Sequence, residues 1–179
     1  MSLLLATLSP GLMLIVVGLP LLLNSAGYAA MLKALPRSTA AGNVFFTVGA
    51  AWFIYNIAHL GEADLIIPKP YMLAAFALIA VLSLIYMREF IAVRGLAALV
   101  LVGAMPLLDA AYMEYHLPQR LVMVSAVYLA IAIAIWLAAQ PWRLRDFFAW
   151  MFAMPARARG VGGALAGYGV ALAIVAFTY

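Results

Sequence analysis

The run Arg120-Leu-Val-Met-Val-Ser-Ala-Val-Tyr-Leu-Ala-Ile-Ala-Ile-Ala-Ile-Trp-Leu-Ala-Ala-Gln140 decides the fold class. No charged residue stands between its two polar ends. A bilayer's hydrocarbon core is about 30 Å thick and takes about 20 helical residues at 1.5 Å each, so this run has the length of one crossing. Without water to bond, a single spanning segment must satisfy its own backbone, which demands a helix.

Working outward, runs of the same kind lie near Pro10–Leu32, Ala40–Leu60, Pro70–Phe90, Gly95–Met113 and Gly160–Thr178. The fold class is therefore all-α: a polytopic membrane helix bundle of about six transmembrane helices. Of the 179 residues, 69% are hydrophobic and 9% charged, with a mean hydropathy of +1.14, whereas soluble domains are about half apolar and a quarter charged. Short connections leave no room for an extramembrane domain, so residues 1–179 read as a single transmembrane domain. Leu3–Leu23, followed by Ser25, Ala26 and Gly27, has the look of a signal peptide but lacks a basic leader, and reads as the first membrane helix. Ser9–Pro10 and Ser38–Thr39 are the expected helix starts.

Trp142–Met154 is aromatic, too short to cross, and flanked by Arg143, Arg145, Arg157 and Arg159. It reads as one short interfacial helix lying among headgroups. Eight of the ten basic residues (Lys33, Arg37, Arg88, Arg94 and those four) fall in the first, third and fifth connections, and only Lys69 and Arg120 in the others. The bias puts the odd connections in the cytoplasm and both termini on the non-cytoplasmic side of a bacterial-type inner membrane. The net charge of +4 is spread singly and in pairs, which fits anionic lipids at the cytoplasmic face and gives no nucleic-acid surface.

Candidate chemistry gathers at the other side. Trp52, Tyr55, Asn56 and His59 share one helix face by their spacing, and the fourth segment offers Asp109, Tyr112, Met113 and His116 in the same pattern. A 57-residue shift superposes Tyr55 on Tyr112, His59 on His116 and Tyr71 on Tyr128, which suggests a parallel internal repeat. A competing 86-residue shift, Pro20-Leu-Leu onto Pro106-Leu-Leu, suggests an inverted one. Glu62, Asp64 and Glu114 lie close by in sequence.

These residues carry four readings: an aromatic belt at the interface, a pocket for a small ligand or cation, a haem b with His59 and His116 as axial ligands beside Lys69 or Arg120, and a zinc or manganese site. Asp109, three residues after Pro106, reads first as the partner of a hydrogen bond at a helix kink and second as a proton or cation site. Gly163 and Gly167, continued by Ala164 and Ala171, form a small-residue face for close helix approach, within the chain or with a partner or a second copy. Absent cysteine excludes disulfides, thiolate metal sites and thiol nucleophiles, and no phosphate loop or hydrolase motif is present. The sequence therefore points away from an enzyme. A non-catalytic membrane component that packs with a partner or itself ranks first, a small transporter or channel second, and a haem-carrying redox subunit third.

Overall fold

A computed structural model of the chain describes residues 1–61, 64 and 66–179. Among the described residues it is all-α, with eight helices: α1 (Leu3–Leu22), α2 (Ala26–Ala34), α3 (Thr39–Ala58), α4 (Lys69–Tyr86), α5 (Ile91–Ala111), α6 (Arg120–Ala139), α7 (Trp142–Met151) and α8 (Pro155–Ala176). A single 3₁₀ turn, Leu35–Arg37, joins α2 to α3. Six of the helices, α1, α3, α4, α5, α6 and α8, are long and apolar enough to cross a bilayer, and the protein is an integral membrane protein.

The first apolar segment departs from the sequence reading. The helix begins at Leu3, capped by the Ser2 hydroxyl, and Pro10 lies inside it instead of at its start. It ends at Leu22, where Asn24 adopts a left-handed φ of 53°. Ser25 N–H donates to the Pro20 carbonyl and Asn24 N–H to that of Leu21, both at 3.0 Å, closing a Schellman turn. The Ser25 hydroxyl then accepts from Tyr28 N–H and starts α2. Adjacent Asn and Ser thus stop one helix and start another, and Pro10–Leu32 is two helices. Ser38 caps α3 as its sequence suggests, with Thr39 first in the helix.

The most intimate packing is between antiparallel α1 and α8. A methyl built on Gly18 would stand 2.7 Å from Ala166 N and from Gly162 O, and one on Gly169 2.6 Å from Gly11 O. Lipid removes the hydrophobic drive for helix pairing, so association rests on close van der Waals contact, which glycine permits. This corrects the choice of face on α8. Gly162, Ala166 and Gly169 are buried against α1, whereas Gly167 meets nothing within 4 Å and Ala164 and Ala171 are exposed. Thr7, buried in α1, donates its hydroxyl to the Tyr179 phenol oxygen at 3.1 Å and ties the same pair at its other end.

A second unit is built on α5. Parallel α3 approaches through Gly42, Gly49 and Gly95, a methyl on Gly95 colliding with the Phe46 backbone. α6 packs on the other side of α5, where Ala104, Ala111, Met123 and Val127 are buried with Ala6 and Leu172. α4 is peripheral: it lies against α3, with Phe76 edge-on to Phe53 at 5.1 Å, and none of its residues is buried.

α7 lies at the end of the bundle with α2. Phe148 and Met151 are buried over Leu21 and Ala158, while Trp142, Phe147 and Trp150 are exposed. Arginines brace it: Arg157 donates to the Trp150 carbonyl at 3.1 Å with its guanidinium 4.9 Å from the indole, and Arg145 bonds Asp146 at 2.7 Å. Such a ten-residue amphipathic helix cannot span.

Candidate functional site

Between parallel α3 and α5 runs a groove of about 670 Å³. Its walls are apolar, including Phe46, Phe53, Leu101 and Met105, and its floor is the glycine contact at Gly49. Two polar side chains break that lining, Asn56 in the last turn of α3 and His59 just beyond it. An apolar trough with polar groups at one end matches the common anatomy of a ligand site.

Helix termination sets His59. As the residue following Ala58, it has left the helix (φ −101°, ψ 3°), and its Nδ1 lies 2.8 Å from the Tyr55 carbonyl oxygen. A carbonyl only accepts, so Nδ1 carries a proton toward it and Nε2 is the ring nitrogen left to meet a ligand. Tyr55 fixes the ring further, the two ring centroids lying 4.1 Å apart. Asn56, half-buried, makes no side-chain hydrogen bond among the described residues and keeps donor and acceptor capacity toward the groove.

Lys69 closes this end. Its Nζ donates to the carbonyls of Ala58 at 3.1 Å and Leu60 at 2.9 Å, satisfying orphan acceptors at the end of α3. Arg120 does the same for α5, donating through Nη1 to the Ala111 carbonyl while its guanidinium lies 4.8 Å from the Tyr115 ring. Both basic residues on this side therefore cap the preceding spanning helix, each from the first position of the next.

Only the α3 half of the sequence-predicted cluster reaches the groove. Trp52 packs across α5 near Gly103, and Asn56 and His59 line the groove. The matching face on the fourth segment does not continue as a helix, because α5 ends at Ala111 and Met113 takes a left-handed φ of 66°. Tyr112 is the residue that ends the helix, and His116 falls in the following connection, where Nε2 stands 3.5 Å from the Glu114 carboxylate with the ring largely exposed. His59 directly follows its helix, whereas His116 lies five positions beyond Ala111, so the 57-residue shift pairs residues in unlike local structure.

Asp109 lies in the last turn of α5 and is exposed, with Pro106 one turn earlier. Asp64 is exposed, and Glu62 lies outside the described residues. No group of three or more metal-ligating side chains forms among the described residues. The groove itself was hidden from sequence reading because its lining comes from two helices about fifty residues apart. Gly49 and Gly95, which let those helices meet, were the available signal.

No protein family, curated protein or solved structure matches the chain.

Proposed function

We propose that this protein is a non-catalytic membrane component that binds a membrane-dissolved, single-chain amphiphile in the α3–α5 groove. The observation that carries the reading is the union of an apolar trough of about 670 Å³ with Asn56 and His59 at one end. The alkyl part lies along Phe46, Phe53 and Met105, and the polar head meets the Asn56 amide and Nε2 of His59. Asn56 supplies both a donor and an acceptor, so a hydroxyl or protonated carboxyl head is matched by the pair. Lys69 holds this end of α3 without lining the groove.

A photoactivatable fatty acid offered to the protein in nanodiscs tests the site. Cross-links should concentrate on α3 and α5, and Ala98→Phe, which fills the trough, should abolish them while Ala164→Phe on exposed α8 leaves them. Labelling spread evenly over all lipid-facing helices and unchanged by Ala98→Phe would refute it.

A second reading, packing with a partner or a second copy, is favoured by the outward small-residue face of α8, where Gly160 and Gly167 meet nothing within 4 Å. Native mass spectrometry of wild type against Gly167→Leu separates the two, since a dimer lost in the variant supports packing. For placement we propose an inner membrane of bacterial type with the α2 and α7 end in the cytoplasm, supported by the arginines and lysine gathered at that end.

A further inference from the structure

The end of the bundle away from the groove carries three arginines around one interhelical turn. α4 and α5 are joined by Met87–Phe90, and three clefts of about 500, 300 and 480 Å³ open around this connection. Arg88 lines all three, Arg37 and Arg94 line one each, and Phe90 lines two. The turn is strained at Phe90, whose left-handed φ of 55° is uncommon for an aromatic residue, and the Arg37 guanidinium lies 5.9 Å from that ring.

Partnering distinguishes these arginines from most others. Arg120, Arg143, Arg145 and Arg157 each make a hydrogen bond to the protein, whereas Arg37, Arg88 and Arg94 make no hydrogen bond or ion pair among the described residues. Arg88 shares one cleft with Arg94 and another with Arg37, so three unsatisfied guanidinium groups border adjoining clefts around one turn. Glu89, which lines two of the clefts, leaves the cluster with net positive charge and offers a carboxylate beside them. The helix ends place the cluster at headgroup level, and Trp142 and Tyr86, both exposed, flank the widest cleft as residues suited to that depth.

We propose that the Met87–Phe90 turn is a phosphate-binding site, in which Arg37, Arg88 and Arg94 hold the phosphate of a lipid headgroup and Glu89 accepts from a hydroxyl or ammonium on the same headgroup. Guanidinium matches phosphate oxygens bidentately, which a general positive surface does not require. This site is separate from the groove and does not depend on what the groove binds.

The test uses full-length, delipidated protein in detergent, with native mass spectrometry and thermal unfolding as readouts. Phosphatidylglycerol should give a one-to-one adduct, and diacylglycerol, lacking the phosphate, should not. Arg37→Gln combined with Arg88→Gln should weaken the adduct about tenfold or more, a scale set by lost charged hydrogen bonds. Arg143→Gln with Arg145→Gln, at the same end, should leave it unchanged. Should inorganic phosphate alone raise the unfolding temperature in wild type but not in the Arg37/Arg88 variant, the site stands with a free phosphate as its source. Arg88→Lys, which keeps the charge but not the bidentate fork, guards against loss by misfolding and should weaken the adduct less than the double glutamine variant does. An adduct that survives removal of all three arginines, falls equally in the Arg143/Arg145 variant, or forms as well with diacylglycerol would overturn the proposal.

Discussion

Gly18→Ala isolates the forces that join α1 to α8. The new methyl would lie 2.7 Å from Ala166 N and Gly162 O and 3.1 Å from the Leu165 Cβ. Two of these atoms are backbone, so no rotamer change relieves the clash and the helices must separate by about 0.7 Å to reach an ordinary contact distance of about 3.4 Å. A gap of that size forfeits a quarter to a half of each dispersion contact it opens, and strain of this kind costs about 1–3 kcal/mol. Alanine's better helix propensity returns at most about 1 kcal/mol, leaving a net loss on the order of 1–2 kcal/mol. Gly167→Ala on the outer face of α8 is the matched control, because its methyl meets nothing within 4 Å. Reversible unfolding in mixed micelles should show Gly18→Ala destabilised by that amount and Gly167→Ala unchanged or slightly stabilised. Equal stability of the two variants would refute the assignment of the packed face.

Asn24→Ala should lower stability by about 1 kcal/mol, since alanine pays the left-handed penalty, while Asn24→Gly should not; thermal unfolding reads the difference. Lys69→Met and Arg120→Met should each cost about 1–2 kcal/mol in denaturant unfolding by uncapping α3 and α5. Burial raises the Tyr28 phenol above its ordinary value near 10, so its contribution to stability is intact below pH 10 and fades as pH climbs through the raised value. A tyrosinate absorbance titration of wild type against Tyr28→Phe should remove a late-titrating step. For orientation, cysteines placed at Ser2 and Tyr179 should react with an impermeant reagent from outside intact cells, and labelling only after lysis would reverse the topology.

Apolar length made the number of crossings readable, since each spanning helix carries its own backbone bonds and announces itself by composition. Its limits were harder to read. Proline at position 10 resembles a helix start, but a membrane helix tolerates proline within it, and the Ser2 cap lies about two turns earlier. The break at Asn24-Ser25 was legible in principle, as Asn is the commonest substitute for glycine in a left-handed cap and Ser a strong N-cap. Apolar residues continue on both sides and hide it. For α8 the Gly-x-x-x-Gly pattern drew attention to Gly163 and Gly167, yet the face in use repeats every seven residues. Gly11 and Gly18 on α1 carry the same interval as Gly162 and Gly169 on α8, and an antiparallel pair brings Gly11 to Gly169 and Gly18 to Gly162. Matching intervals on two helices is a stronger signal than either glycine pair alone.

The candidate site divides along the same physical line. Asn56 in the last turn of α3 and His59, the residue that ends it, keep the face that their spacing implies, because the helix runs on to Ala58: both reach one groove. Beyond Ala111 that rule lapses, and sequence distance no longer gives direction. The turn through Met113 sends Tyr112, Tyr115 and His116 to exposed positions, and Arg120 folds back over Tyr115 to reach the end of α5. Identical residues at an identical offset therefore acquire different surroundings, His59 bonded through Nδ1 to the Tyr55 carbonyl of its own helix and His116 beside a glutamate. Replacing His59 by Phe should then remove one of the groove's two polar side chains and weaken capture of a hydroxyl-headed amphiphile, whereas His116→Phe should leave it intact. Equal loss in both would mean that the two histidines serve one site after all.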